Sequence, residues 1–198
     1  MVFEGPMPQI TVPDKIANLD RQFRDRRPVA AKLYLHDPSS CSQVDDNTIF
    51  KAKYKLSSTI GVPLSSIALA GSAQTGWSIK RNAEYAPNKS DIDFAIIDTG
   101  LFSNCLTEIV SLCRGYTDNT RFKSPDVAKT FRDNASKGIL IPRLFPSSHL
   151  KRQWDDIKQT VTLLCAPIAT DCSFFIYISE ASFVSKQMGA VNYLRNLP

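Results

Sequence analysis

The 198-residue chain is 43% hydrophobic and 22% charged, which suits one globular domain over residues 1–198, and it holds no apolar run long enough to span a bilayer. Its net charge of +5 permits contact with polyanions, although the charges are spread along the chain and a solvated basic surface without a partner explains them equally well. The N-terminal stretch lacks a secretory signal, and five cysteines without Cys-x-x-Cys spacing favour reduced thiols in a cytoplasmic protein over a disulfide framework or a zinc site.

The first third of the chain is predicted to form an arm followed by two helices. Prolines favour an extended N-terminal arm over residues 1–13. Apolar residues at helical spacing predict a helix from Asp14 to Arg26, and Pro28 is expected to end it. A second helix is predicted from Asp45 to Ile60, where Gly61-Val62-Pro63 breaks the pattern.

Two short apolar runs then have the length of buried strands, Ile67–Ala70 and Phe94–Ile97. Asp91 and Asp93 open the second run, and strand alternation places them on the same face. Two carboxylates so close repel each other unless a positive charge lies between them. The pattern therefore indicates a place where a hard cation could bind.

The first strand is followed by Gly71-Ser72 and by a predicted helix from Ala73 to Ile79. Glycine lets the backbone approach a ligand closely. Ser72 can offer its hydroxyl group, and the helix its first N–H groups, to a phosphate.

This order of strand, Gly-Ser, helical turn, Ser-Asp-x-Asp and second strand resembles the signature of the DNA polymerase β-like nucleotidyltransferase superfamily. The resemblance covers about a sixth of the chain and is carried by Gly71-Ser72 and by Ser90-Asp91-Ile92-Asp93. The segment between Ser72 and Asp91 is longer than the family usually carries, so no subfamily is assigned. The resemblance implies an α/β (α+β) fold in which a small mixed sheet, with strands 67–70, 94–97 and 172–178, is flanked by helices.

The remaining elements follow from periodicity and from turn residues. Gly115 is well placed to cap one of the helices, and either Ser147 or Ser148 to begin another. The predicted helices are Phe102–Arg114, Pro125–Ser136, His149–Leu164 and Ala181–Asn196, with an extended piece at Lys137–Pro146 and a strand at Asp171–Ser179.

The resemblance implies that the protein transfers a nucleoside monophosphate from an NTP to a hydroxyl group and releases pyrophosphate. Asp91 and Asp93 would hold Mg²⁺ or Mn²⁺, and Asp171 is the best match by position for the third carboxylate of the family. The triphosphate would be bound by Gly71 and Ser72, with Lys80, Arg81 and Arg143 as candidate cations. The acceptor would be an RNA or tRNA end, a side chain of a partner protein or a nucleotide, in settings that include bacterial defence and toxin–antitoxin systems. The sequence does not indicate an oligomeric state.

Each of these residues also has an ordinary structural interpretation. The two aspartates could be a turn cap and a solvated strand residue, and Gly71-Ser72 a plain strand-to-helix turn. Asp171 could cap a strand, and Arg143 could pair with a carboxylate at the edge of the core. A catalytically inactive protein of the same fold, acting as a nucleotide-binding or protein-interaction module, is therefore the alternative function.

Overall fold

The computed structural model describes residues 12–196, in which eight α-helices surround a small sheet. The helices are α1 (Val12–Gln22), α2 (Arg26–Ala31), α3 (Ser40–Ile60), α4 (Gly71–Thr75), α5 (Thr99–Leu112), α6 (Pro125–Ala135), α7 (His149–Cys165) and α8 (Glu180–Arg195). The strands are β1 (Ile67–Ala70), β2 (Trp77–Ser78), β3 (Ala83–Glu84), β4 (Ile92–Ile97), β5 (Ile139–Leu140) and β6 (Cys172–Tyr177). Shorter helical turns lie at Lys32–His36, Leu64–Ser66 and Pro142–Leu144.

The main sheet has four strands in the order β1-β4-β6-β5. Strand β4 is antiparallel to β1 and parallel to β6, and β5 is antiparallel to β6. A parallel pair needs a long crossover connection, and here α5, α6 and α7 provide it between β4 and β6. The prediction of a small mixed sheet flanked by helices is confirmed, and β4 begins two residues earlier than predicted, at Ile92.

Each face of the sheet is covered by helices, because alternate residues of the central strands point to opposite sides. On one face Phe94 stacks on Phe174 with ring centroids 5.7 Å apart, and α3, α5 and α7 complete this core. On the other face Ala95 and Tyr177 pack beneath α1, α2 and α8. The even-numbered residues of β4 thus belong to one core, while the face that carries Asp93 belongs to the other.

Two predictions near the N-terminus are wrong. Val12 and Pro13 belong to α1 rather than to an extended arm, and the rest of that predicted arm lies outside the described residues. The helix predicted to end at Pro28 is instead two helices, and Pro28 lies in the first turn of α2. A first turn tolerates proline because its N–H groups have no partner within the helix, and the Asp25 side chain caps α2 by accepting a bond from the N–H of Arg27 (3.1 Å).

The helix predicted over residues 73–79 is also wrong in its extent. α4 ends at Thr75, because Gly76 takes a left-handed φ of 85° and turns the chain into the β2–β3 hairpin. The second helix, α3, begins at Ser40 rather than at the predicted Asp45. Asp45 is instead an irregularity inside the helix (φ −156°), where its carboxylate accepts a bond from the N–H of Thr48.

Two further properties follow from burial and length. All five cysteines are buried free thiols. Within residues 12–196, none of the helices combines the length and hydrophobicity required to cross a bilayer.

The stacked pair in the sheet core provides a test of the fold. Phe94→Ala should lower the free energy of unfolding by about 3–5 kcal/mol, because the side chain is fully buried and its removal leaves a cavity. The matched control is Phe50→Ala on α3, where the ring is 52% exposed and the loss should stay below about 1 kcal/mol. Urea denaturation of both variants measures the difference, and equal losses would place Phe94 outside the core.

Candidate metal and phosphate site

The turn after β1 brings the backbone of Gly71 against the carboxylate of Asp93. Gly71 has a left-handed φ of 60°, and a Cβ atom at this position would lie 2.6 Å from Asp93 Oδ2. The approach follows from the sheet register, in which Ala70 is the partner of Asp93. Glycine is therefore required here both by the backbone conformation and by the space that the carboxylate occupies.

Asp93 is a mostly buried carboxylate whose charge is poorly compensated. Burial, followed by the negative charges of Asp91 and Asp171, raises its pKa to about 6, and the guanidinium of Arg143 partly offsets these effects. Among residues 12–196 no hydrogen bond to the Asp93 carboxylate is found. Asp91 lies beside it at the exposed start of the strand. The pair thus forms a site where a bound cation would relieve a real electrostatic cost.

A cavity of about 280 Å³ opens directly in front of these carboxylates. Its walls include the turn that follows β1 and the hairpin that follows α4. The lining residues predicted from the sequence are Gly71, Ser72, Lys80, Arg81, Asp91 and Asp93, and the others are Tyr34, Thr75, Trp77, Ser78, Ile79, Gln187 and Ala190. Five of the predicted site residues and Arg81 therefore line one cavity, and they include both the candidate metal ligands and the candidate phosphate ligands.

Lys80 and Arg81 contribute to this cavity in different ways. Arg81 donates hydrogen bonds to the carbonyl of Lys89 (2.6 Å) and to the hydroxyl of Ser90 (2.7 Å). It therefore fixes the end of the long segment that leads into Asp91. Lys80 is exposed, and within the described part of the chain it forms no ion pair, so its ammonium group is available to an anion in the cavity.

The loop before β4 is also tied to the loop before β6. The N–H of Asn88 donates to the carbonyl of Ile168 (3.2 Å), and the N–H of Thr170 donates to the carbonyl of Ser90 (3.1 Å). The hydroxyl of Tyr85 donates to the same Ile168 carbonyl (2.8 Å). These bonds hold the N-terminal ends of the two parallel strands side by side, which fixes where the Asp91 backbone enters the sheet.

Asp171 lies next to this site in the sheet, but its side chain has other partners. Its carboxylate forms an ion pair with Lys158 of α7 (2.8 Å) and accepts a bond from the N–H of Cys172 (2.9 Å). The carbonyls of Asp171 and Tyr177 accept bonds from the β4 side. Successive residues of a strand direct their backbone groups to opposite sides, so the N–H of Cys172 faces the other edge of β6, away from β4. Asp171 is absent from the cavity wall, and its assignment as the third carboxylate stays a prediction.

Arg143 also lies away from the cavity. It follows β5 at the edge of the sheet, although it is close enough to lower the pKa of Asp93. Among residues 12–196, no group of three or more His, Cys, Asp and Glu side chains is arranged to hold a metal ion. A hard cation at Asp91 and Asp93 would therefore take its remaining oxygen ligands from water or from a phosphate, as Mg²⁺ commonly does.

Seven lining residues were not predicted from the sequence, and Tyr34, Trp77 and Gln187 have the largest side chains with polar groups among them. Tyr34 and Gln187 come from segments far from the motif, and Trp77 fell inside a helix that was predicted too long. Gln187 did leave a signal in the sequence, because it stands at helical spacing from Phe183, Val184 and Val191, where a polar side chain needs a specific reason.

A wider cavity of about 470 Å³ lies between α3, α5 and α7. Its floor is apolar, and it contains no pair of carboxylates. A large volume does not by itself indicate a functional site, so the smaller cavity with the paired aspartates is the better candidate.

Comparison with known proteins does not assign the chain to a family: no protein-family model matches it, and neither does a curated protein or a solved structure. The case for the site therefore rests on its residues and their geometry.

The close approach at Gly71 gives a paired test. Gly61 and Gly71 both have left-handed φ, but a Cβ atom at Gly61 meets nothing within 4 Å. Gly61→Ala should cost about 1 kcal/mol for the backbone alone. Gly71→Ala should cost at least about 1 kcal/mol more, because the new methyl group displaces the Asp93 carboxylate. Thermal or urea unfolding of both variants measures this, and equal losses would contradict the contact.

The raised pKa of Asp93 predicts how stability depends on pH. The folded pKa of about 6 exceeds the ordinary value of 3.8, so stability is fully present below 3.8 and falls as the pH rises through 6, by up to about 3 kcal/mol. Asp93→Asn should remove this part of the pH dependence and leave the metal-free protein more stable above pH 6. Mg²⁺ should then stabilise the wild type and not the variant. Parallel pH profiles for the two proteins would contradict the account.

Proposed function

We propose that the protein is a metal-dependent nucleotidyltransferase that binds an NTP in the cavity beside Asp91 and Asp93. The observation that carries this proposal is the convergence of paired carboxylates, the Gly71-Ser72 turn and an unpaired lysine on one cavity. The element order of strand, turn, short helix and carboxylate-bearing strand agrees with the resemblance to the polymerase β-like superfamily. The net charge of +5 is compatible with a polyanionic ligand.

The residues that line the cavity have different roles in this reaction. The hydroxyl of Ser72 donates a hydrogen bond to the triphosphate, and Lys80 neutralises part of its charge. Asp91 and Asp93 would hold a divalent cation as oxygen ligands, and such a cation would neutralise charge on the phosphates and lower the pKa of the attacking hydroxyl. Arg81 keeps the loop before Asp91 in place through Ser90.

The transfer itself is a substitution at the α-phosphorus. The hydroxyl oxygen of the acceptor forms a new bond to that phosphorus, and the bond to the pyrophosphate oxygen breaks. The acceptor proton passes to solvent or to a nearby carboxylate. Asp171 can accept this proton only if its carboxylate leaves Lys158, since the two are joined in an ion pair of 2.8 Å.

That ion pair favours a second candidate function, a nucleotide-binding module that carries out no transfer. With Asp171 turned toward Lys158, only two carboxylates among residues 12–196 face the cavity. Two carboxylates suffice to bind a metal–nucleotide complex, whereas activation of the acceptor draws on the third. The two functions therefore share the binding step and differ in the chemistry.

The experiment is incubation of the protein with each α-labelled NTP, Mg²⁺ and either total RNA or cell lysate. The transferase proposal expects label on an acceptor with the wild type and none with Asp93→Asn. Asp171→Asn should lower the rate at least about a hundredfold and leave the dissociation constant for Mg·NTP within about twofold.

The result separates the candidates. Nucleotide binding without labelled product in any mixture would support the binding module. Full activity in Asp171→Asn would remove Asp171 from the mechanism, and absence of nucleotide binding would overturn both functions. The control is Asp46→Asn on α3, an exposed carboxylate remote from the cavity wall.

A further inference from the structure

The outer edge of β6 is only partly covered by another strand. β5 pairs with Ile176 and Tyr177 alone, so the first half of β6 meets the helical turn Pro142–Leu144 and α7 instead. A small pocket of about 40 Å³ remains at this edge, with room for roughly three water molecules. Arg143 and Lys158 are the cations that line it, Asp155 is a carboxylate at its wall, and Ser173 of β6 also borders it.

Of the two cations that line this pocket, Arg143 is the one that forms no ion pair within residues 12–196. Lys158 is paired with Asp171, and the Asp155 carboxylate at the pocket wall is paired with Lys151. In the described range Arg143 forms neither an ion pair nor a hydrogen bond through its side chain, and it is exposed. The two ion pairs cancel, so the pocket is left with the single positive charge of a guanidinium group.

The pocket also has a defined position relative to the candidate metal ligands. Ser173 is the register partner of Asp93, and Arg143 is near enough to lower the pKa of Asp93. The 280 Å³ cavity lies on the side of Asp93 that faces Gly71 and β1. Arg143 lies on the other side, beyond β6. Asp93 therefore lies between the 280 Å³ cavity and the pocket at Arg143.

We propose that the pocket at Arg143 binds a phosphate group of the acceptor, so that the acceptor of this enzyme is a nucleotide or a nucleic acid end. This inference rests on the proposed transferase function, in which the 280 Å³ cavity is occupied by the NTP. A guanidinium group binds phosphate oxygens through two parallel N–H bonds, and the ammonium group of Lys158 belongs to the same pocket. The pocket is too small for a nucleobase, so a phosphate group would contact the exposed Arg143 at the mouth of the pocket.

The Lys158–Asp171 ion pair completes the argument. An acceptor phosphate at Arg143 brings negative charge beside Lys158, which then has a second anion to pair with. Half-exposed ion pairs are weak, so a second anion beside Lys158 would weaken its attraction for Asp171. Acceptor binding thereby favours release of the carboxylate that the transfer step draws on.

The test measures binding of two phosphate-bearing probes in the absence of turnover. One probe is a short fluorescein-labelled single-stranded oligoribonucleotide, and the other is a nucleoside monophosphate, which competes with it. Arg143→Gln should weaken binding of the oligoribonucleotide about tenfold, because one charge-assisted contact is lost. The same variant should keep its Mg·NTP dissociation constant within about twofold when both are measured at about pH 8, where the Asp93 carboxylate is ionised with or without Arg143. Competition by the monophosphate would identify a mononucleotide as a sufficient acceptor, and binding of the oligoribonucleotide alone would identify a nucleic acid end.

The matched control is Arg152→Gln, which removes the same charge from an exposed arginine of α7 outside the pocket. Equal weakening by the two variants would overturn the inference, because it would reduce Arg143 to general surface charge. Equal loss of NTP and oligoribonucleotide binding in Arg143→Gln would also overturn it, since Arg143 would then serve the donor. Transfer of label to a protein side chain with no dependence on Arg143 would do the same.

The failure of this inference and the failure of the proposed function give different results. If the wild type binds Mg·NTP but neither phosphate-bearing probe, the acceptor site is absent and the proposed function stands. If it binds neither Mg·NTP nor the probes, both fail. If the oligoribonucleotide binds through Arg143 while Mg·NTP does not bind, the phosphate pocket stands and the transferase proposal fails.

Discussion

The contact between the Gly71 backbone and the Asp93 carboxylate is the constraint on which the site depends. It arises because β1 pairs antiparallel with β4, so that the end of one strand meets the beginning of the other. The left-handed conformation of Gly71 then turns the chain away at the point where the carboxylate needs space. The same turn places Ser72 at the cavity wall. A side chain at Gly71 would disturb the carboxylate and the turn together.

The second constraint is electrostatic. Asp93 is held mostly buried beside another carboxylate, and the nearest compensation is an arginine on the far side of β6. This arrangement reduces the stability of the metal-free protein at neutral pH, which is typical of residues retained for binding rather than for folding. Asp171 shows the opposite arrangement, because an ion pair and a backbone N–H satisfy its charge. Asp93 and Asp171 are therefore neighbours in the sheet, but Asp171 already has a positively charged partner and Asp93 forms no ion pair within residues 12–196.

The parts of the fold that were predictable are those with strong local patterns. Strand β1 has the bounds that its apolar run predicts, and Ser148 caps α7 as one of two candidates. The length of α4 was predicted wrongly because helical periodicity does not reveal that Gly76 ends the helix after little more than one turn. The prediction that Pro28 ends a helix was wrong because a proline just after a helix and a proline in the first turn of the next helix look the same in sequence.

The candidate site was predictable only where its residues are close in the chain. The motif brings Gly71, Ser72, Asp91 and Asp93 together through a single strand pairing, which the sequence pattern implies. Arg143 and Asp171 depend instead on side-chain directions at the edge of β6. Those directions follow from which backbone N–H groups face outward and from the reach of Lys158, and neither is visible in a linear pattern. Gln187 reaches the cavity only because α8 packs on the sheet face that carries Asp93.

The central claim is that a divalent cation and a nucleotide bind together at Asp91 and Asp93. The most direct measurement is NMR line broadening by Mn²⁺ in the presence of a non-hydrolysable NTP analogue, since broadening reports distance from the metal. The account predicts broadening of backbone amides at residues 71–72, 80–81 and 91–93, with little effect on the cavity between α3, α5 and α7. Broadening confined to other parts of the protein, or unchanged by Asp93→Asn, would contradict it.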